Sequence, residues 1–243
     1  MSIGLLDSPK VQVLMEEPTD QRLRAFRLNA CRKEPWTSEW IHAMLPGKTF
    51  WDIGANVGSY SLLAAKLGLR VVAIEPGAEN YAMLCRNIEL NKLGNVITPI
   101  PMAVGNATTL TNIAYSSHVA GAAIHTLGAP DNKLTHHILQ ITLDDLAGGF
   151  ALPIPHYVKI DTDGGEVGVL HGGKNLLGHM WCQSLMVEIR TVEEDALRQA
   201  MPAIGFEMKT KFDKREGMPL VGECYWLCEK TVVNVDRAEV PEE

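Results

Sequence analysis

Residues 49–75 constrain this chain more than any other stretch. An apolar run, Thr49–Ile53, enters a turn built on Gly54, Asn56 and Gly58. Val57, Tyr60, Leu63, Ala64 and Leu67 then recur at the spacing of one helix face. A second apolar run, 71–74, delivers Glu75. The pattern predicts strand, tight turn, helix and strand, with a carboxylate at the second strand's end. Such a unit suits a nucleoside. A glycine turn lets backbone approach the ligand, and the acid accepts hydrogen bonds from both ribose hydroxyls. The competing role for Glu75 is to cap the next helix.

The turn also discriminates between nucleosides. A dinucleotide site wants Gly-x-Gly-x-x-Gly, so that amides and a helix N-terminus meet a pyrophosphate. Here the spacing is Gly-x-x-x-Gly, with Asp52 two residues ahead of Gly54. An acid there suits a cationic ligand better than a pyrophosphate. S-adenosylmethionine carries a sulfonium, an ammonium and no phosphate, and Asp52 would lie near its ammonium, directly or through water. An ordinary strand-to-helix turn in a nucleotide-free α/β protein is the plain alternative. The missing middle glycine disfavours a nicotinamide-dependent oxidoreductase.

Further segments follow in a specific series: Asp-Ile-Gly-Ala-Asn-Val-Gly-Ser-Tyr-Ser (52–61), Ile-Glu-Pro (74–76), Ala-Val-Gly (103–105), Thr-Leu-Asp-Asp-Leu (142–146), Val-Lys-Ile-Asp-Thr-Asp-Gly-Gly-Glu (158–166) and Val-Glu-Ile (187–189). The chain resembles the FkbM-type family of class I methyltransferases through these segments. The resemblance implies an α/β, Rossmann-like sandwich: a mostly parallel seven-stranded sheet with an antiparallel terminal strand and helices on both faces. It implies S-adenosylmethionine as methyl donor and a hydroxyl acceptor, often on a sugar or secondary metabolite. It places Asp52, Gly54, Ala55, Asn56, Gly58, Ser59, Glu75, Pro76, Ala103, Val104 and Asp161 around the donor. The family usually has Asp-Val-Glu-Gly-Ala-Glu where this chain has Asp-Thr-Asp-Gly-Gly-Glu (161–166). The carboxylate at Asp163 is thus shorter and Gly165 replaces alanine, a departure on the acceptor side.

At 243 residues the chain suits one α/β domain. Three parts are expected: a helical cap over 1–46, a methyltransferase domain over 47–230 with an insertion or lid at 105–140, and an acidic tail over 231–243. Ser38 is the expected N-cap of a short helix over 39–44. A helix is expected over 80–90, a single helical pattern runs from Val167 to Leu177, and another covers 194–201, stopping at Pro202. Strands are expected at 96–100, 110–115, 138–143, Tyr157–Ile160 and 185–189, with a hairpin-like pair at 206–210 and 223–229. A net charge of −7 without a basic run argues against nucleic acid. No apolar run is long enough to span a membrane, and the N-terminus does not read as a signal peptide. The five cysteines are scattered, and Cys224 and Cys228 share a strand parity that suggests packing. A cytoplasmic enzyme with a small-molecule or glycan acceptor is the simplest reading. A homo-oligomer stays open.

Asp161 ends the fourth core strand, where ligands collect in open α/β sheets. Its candidate roles are general base, acceptor orientation and metal binding. Glu188 is an acid inside an apolar run, so it either has a partner or faces the crevice. His118 and His125 lie in the insertion, and His118 joins Asp161 and Glu188 as a catalytic candidate. Asp163 and Glu166 have the spacing of a capping box. Asn80 could contact the adenosine, and capping its helix is the preferred role. Ala103 and Val104 either border the adenine or form a tight turn. Asp161, Asp163 and Glu188 could hold a hard cation, but no histidine or asparagine ligand is fixed by spacing, so no metal is expected. Asp161 is followed by Thr162-Asp163-Gly164 rather than a Pro-Pro-aromatic element, which disfavours methylation of a base amino group. A non-catalytic nucleoside-binding scaffold is the remaining alternative.

Overall fold

Alternation in the apolar runs decides the architecture. In 49–53, Phe50 and Asp52 point to one side and Trp51 and Ile53 to the other, and all are buried. A strand buried on both faces needs cover on both. The computed structural model describes residues 2–114, 117, 119–122, 126–127, 135–213 and 222–231. Its main sheet has seven strands: β1 (Thr49–Ile53), β2 (Arg70–Ile74), β3 (Ile97–Ile100), β4 (Tyr157–Ile160), β5 (Ser184–Arg190), β6 (Phe206–Asp213) and β7 (Glu223–Lys230). Their order is β6-β7-β5-β4-β1-β2-β3. The pairs β3/β2, β2/β1, β1/β4 and β4/β5 are parallel, and β7 runs antiparallel to both β5 and β6. The chain builds outward from β1 to β3, then returns to place β4 on β1's other side. That reversal opens a crevice at the strands' carboxyl ends.

The N-terminal segment opens with an antiparallel ribbon, Ile3–Leu5 against Leu14–Glu16, which the sequence pattern does not announce. It continues as α1 (Gln21–Leu28), α2 (Ala30–Lys33) and α3 (Pro35–Ala43). Helix α3 corrects the expected start at Ser38. Pro35 opens the helix, where its missing N–H costs nothing, and Ser38 is buried within it. The face carrying Phe50, Val71, Ala73, Ile97 and Tyr157 packs with this segment, α4 (Ser59–Lys66) and α5 (Ala78–Leu90). Trp40 donates to Ser184 Oγ at 2.7 Å, and Trp36 stacks on Phe212, tying the segment to β5 and β6. The opposite face, with Trp51, Ile53, Val158, Ile160 and Val187, packs with α6 (Leu143–Gly149), α7 (Glu166–Gly172), α8 (Lys174–Gly178) and α9 (Glu194–Ala200).

Three expectations on that face change. The single pattern over 167–177 is two helices, broken at the Gly172–Gly173 pair, where helix propensity is poor. The strand expected over 138–143 stops at Ile141 and gives way to the helix α6, whose N-cap Thr142 accepts at Oγ from Asp145 N–H at 3.0 Å. Pro202 sits inside a 3-10 turn, Met201–Ile204, that prolongs α9. Within the insertion, Thr109–Ala114 and Thr135–Ile141 pair antiparallel, and Ala103–Val104 joins the latter in parallel. Cys224 and Cys228 are buried in the core as free thiols. No helix among the described residues is long and apolar enough to cross a membrane.

Candidate active site

The β1–β2 half of the crevice, where the donor is expected, is built largely from backbone. Gly54 has φ +84, and a Cβ there would lie 1.8 Å from the Asp161 carbonyl oxygen. Only glycine lets β1 and β4 end so close together. Gly58 has φ +92, and a Cβ would meet Leu84 Cδ1 at 2.5 Å. Between them Asn56 takes φ +50, a left-handed value that asparagine tolerates. The amides of Gly54 and Ala55 both donate to the Ile74 carbonyl at 2.9 Å, locking the turn to the end of β2.

Glu75 follows directly and is buried. Its Oε2 accepts from Asn56 N–H at 2.8 Å, and its Oε1 accepts from Gly77 N–H at 2.8 Å and Asn80 Nδ2 at 3.4 Å. Burial pushes Glu75 up to about 7, against the pull of those three hydrogen bonds. Each oxygen still has acceptor capacity for a hydroxyl. Asn80 does not cap α5 as expected. Gly77 occupies the cap position, and Asn80 lies one turn inside, with its amide turned to Glu75 and to the Gly121–Ala122 backbone.

The β4–β5 half, where the acceptor is expected, is built from side chains. Lys159 and Asp161 share the face of Asp52, and all three meet at the β1–β4 junction. Lys159 is 2% exposed, and its ammonium lies 2.5 Å from Asp161 Oδ2. Burial alone would lower Lys159, but the carboxylates of Asp161, Asp52 and Glu34 outweigh it and hold the ammonium charged. Burial alone would raise Asp161, but Lys159 and a hydrogen bond shared with Glu188 hold it well below the usual carboxylate range. Tyr225, opposite Glu188 across β5/β7, donates to Glu188 Oε2 at 2.8 Å.

Glu34 reaches the same cluster from the N-terminal segment. It is 1% exposed, pairs with Lys33 at 2.6 Å and accepts from Tyr60 O–H at 2.8 Å. Burial opposes its charge, while Lys33 and Lys159 keep it below the usual value. Asp52 accepts from Ser61 Oγ at 2.6 Å, and its Oδ1 is buried without a hydrogen-bond partner among the described residues. Burial raises Asp52, with Lys159 and Ser61 pulling it down. An orphaned carboxylate oxygen here fits a cation. With Glu75 beside the turn, the residues fit S-adenosylmethionine: Glu75 for the ribose, and Asp52 for the charged amino-acid end.

The structure thus brings together Asp52, Gly54, Ala55, Asn56, Gly58, Glu75 and Asp161. Pro76 follows Glu75 at the β2 end, and Ala103 and Val104 are buried beside Thr135–Ile141. Ser59 turns away, its Oγ donating to the Arg27 carbonyl at 3.2 Å. Asp163 and Glu166 do not form a capping box. Asp163 sits at φ +58, Gly165 precedes α7 without a side-chain cap, and Glu166 accepts from Thr162 and Gly164. His118 and His125 lie outside the described residues. Among the described residues no cluster of three or more His, Cys, Asp or Glu is arranged to hold a metal. A groove of about 720 Å³, bordered by Asp7, Cys31, Ser38 and His42, lies in the N-terminal segment rather than at the strand ends.

Sequence reasoning missed Lys159, Glu34, Tyr60 and Tyr225. Lys159 had a signal. It is the one charge inside the apolar run Tyr157–Ile160, two residues from Asp161 and therefore on its face.

A family model described as the methyltransferase FkbM domain matches residues 52–208. The hexuronic acid methyltransferase AglP of Haloferax volcanii is 29% identical over 128 residues, 52% of this chain and 50% of that protein. The chain therefore spans about half the length of this curated relative. Among solved structures, a precorrin-6y C5,15-methyltransferase from Geobacter metallireducens superposes with a TM-score of 0.50 at 16% identity, covering 89% of this chain and 94% of that one. The METTL16 methyltransferase domain gives 0.52 at 17% identity, covering 86% and 68%. A methyltransferase FkbM from Methylobacillus flagellatus gives 0.50 at 16% identity, covering 74% and 43%. At such identities these structures speak to the fold, a class I Rossmann-like methyltransferase.

Proposed function

The chain belongs to the FkbM family of S-adenosylmethionine-dependent methyltransferases, and we propose that it methylates a hydroxyl on a sugar, glycan or secondary metabolite. The observation that carries the reading is the carboxylate pair Asp161–Glu188 on neighbouring strand ends, with Asp161 against the donor turn. Two acids on adjacent strands suit an acceptor that presents a hydroxyl proton. The curated relative's acceptor, a hexuronic acid by its name, carries both hydroxyls and a carboxyl, and it supports a sugar as the acceptor class.

S-adenosylmethionine, once bound, supplies a methyl made electrophilic by its sulfonium. The chain's task is to align the acceptor oxygen and exclude water, mostly a matter of proximity. Lys159 keeps Asp161 ionised at neutral pH, so Asp161 is a weak proton sink on its own. Its role is to accept the hydroxyl's hydrogen bond and to offset positive charge developing on the oxygen. The departing proton leaves to solvent water at the crevice mouth, while Tyr225 orients Glu188 beside Asp161. Asp52 and Glu75 hold the two ends of the donor. Pro76, Ala103 and Val104 shape the walls around it.

The test is methyl-labelled S-adenosylmethionine with a panel of neutral sugars, uronic acids and their oligomers. Label in a product stable to mild alkali, as a methyl ether is, is the expected outcome. Label released by mild alkali would mean a carboxyl ester and would overturn the hydroxyl assignment. Tight donor binding with no transfer to any acceptor would favour a non-catalytic scaffold.

A further inference from the structure

We propose that Arg27 is a positioning residue for the methyl-donor site: from α1 it clamps the turn at residues 119–122 over the ribose acid and makes that turn a wall of the donor pocket. The inference rests on the reading of Glu75 as the ribose-binding group. Three separated elements converge on two peptide units. Arg27 donates from Nε and from a terminal nitrogen to the Gly121 carbonyl, at 2.9 and 2.8 Å. Gly121 N–H donates to Asn80 Oδ1 at 2.7 Å. The Ala122 carbonyl accepts from Asn56 Nδ2 at 2.8 Å and from Asn80 Nδ2 at 3.0 Å.

Those two asparagines are also the ones that touch Glu75, through Asn56 N–H and Asn80 Nδ2. The hydrogen bonds that seat the turn and those that orient the ribose acid therefore share their donors. Arg27 itself is held in place, because its own carbonyl accepts from Ser59 Oγ at the start of α4. It has no ion pair among the described residues, so its guanidinium serves the Gly121 carbonyl. Gly121 has φ +90, and a Cβ there would lie 3.1 Å from Pro18 Cγ, so any side chain at this position strains the turn and crowds the segment ahead of α1. Ala122 is buried.

A wall held by the N-terminal segment couples that segment to donor residence. Ligand exchange at such walls sets turnover in many enzymes. With the clamp broken, the turn leaves its seat part of the time, and apparent donor affinity falls by that fraction. The aliphatic stem of Arg27 packs against the turn whether or not the head is charged, so Arg27→Met removes the hydrogen bonds with little loss of packing.

The experiment uses the full chain with S-adenosylhomocysteine as probe, reading Kd and dissociation rate well below the melting temperature. Arg27→Met is expected to weaken binding about 10-fold, mainly by faster dissociation, with acceptor KM within about 2-fold. Arg27→Lys, which restores one donor, should recover part of the loss. Gly121→Ala keeps the Arg27 guanidinium but strains the turn itself, at φ +90 and against Pro18 Cγ, and should act in the same direction. Parent-like affinity and dissociation in both Arg27→Met and Gly121→Ala would overturn the proposal. A Glu75→Gln control separates the two levels. If it binds the probe like the parent, the ribose placement and the clamp fall together. If it binds weakly while both turn variants are unchanged, only the clamp falls.

Discussion

The two halves of the crevice are made by different means. On the β1–β2 side, the donor half is a turn whose left-handed residues and amides come from one short stretch, with Glu75 and Asn80 close behind. On the β4–β5 side, Glu34, Tyr60, Lys159, Asp161, Glu188 and Tyr225 come from five separate places in the fold and meet through their side chains. The donor is the same for every enzyme of this kind, so a rigid backbone cradle suffices. The acceptor half must hold several buried charges in balance, and its strength depends on every partner being present. Damage to the donor half should therefore be steric and local, and damage to the acceptor half electrostatic and spread over many groups.

The largest effect tests the steric side. Gly54→Ala puts a methyl 1.8 Å from a backbone oxygen of the neighbouring strand, at a φ that alanine avoids. Neither strand can yield without breaking the β1–β4 ladder, so the cost should be about 5 kcal/mol or more by denaturant unfolding. A Gly54→Ala protein as stable as the parent would mean that the two strand ends are not in contact.

Next comes the electrostatic side. Lys159→Met leaves Asp52, Asp161 and Glu34 around a neutral chain, at a cost of about 3–5 kcal/mol. The sign with pH is the signature. Without the ammonium the three carboxylates lose the partner that lowers them, so acid relieves their repulsion. The stability deficit of Lys159→Met should shrink as pH falls from 7 towards 5, whereas that of Gly54→Ala should stay constant. Deficits with the same pH profile would erase the distinction between the halves.

The same contrast explains what could be read from the chain alone. The donor half was legible because its signals are local: glycine spacing, an acid before the turn, an acid after the next strand. Individual strands were legible in apolar runs that match β1 and β4 residue for residue and β2, β3 and β5 to within a residue, while the seven-stranded arrangement came from the family resemblance. The acceptor half hid because its members are distant in sequence and unremarkable one by one. Tyr225 faces Glu188 only through the β5/β7 register, and Glu34 arrives on a segment whose ribbon strands are too short to show alternation. The capping-box reading of Asp163 and Glu166 failed on backbone conformation. At φ +58 Asp163 cannot serve as the extended residue that a cap requires, and spacing does not reveal φ.

A smaller effect sharpens the donor half. Glu75→Gln is nearly isosteric and keeps one acceptor oxygen, but replaces charge-assisted hydrogen bonds to a diol with a neutral one. Donor affinity should fall about 100-fold, with acceptor KM close to the parent's. A loss shared equally between donor and acceptor constants would mean that the halves are not separable at this residue.

The smallest effect comes from pH alone and needs no substitution. Glu75 is pushed up to about 7 from an ordinary 4.5. In the unfolded chain it ionises near the lower value, so between the two the folded chain holds the extra proton. Its contribution to stability is therefore largest below about 4.5 and declines as pH rises towards about 7. A ribose diol donates hydrogen bonds, so it selects the ionised carboxylate, and donor binding below pH 7 must release a proton. Affinity should then rise with pH over the window in which Glu75's contribution to stability falls, by about 10-fold from pH 6 to a plateau above 7. Calorimetry of S-adenosylhomocysteine binding in buffers of different ionisation enthalpy reads that proton directly. Release near pH 6.5 that disappears in Glu75→Gln assigns the titration to this residue. Flat affinity across the window would mean that the ribose does not meet Glu75 as a carboxylate, and the donor half would lose its ribose contact.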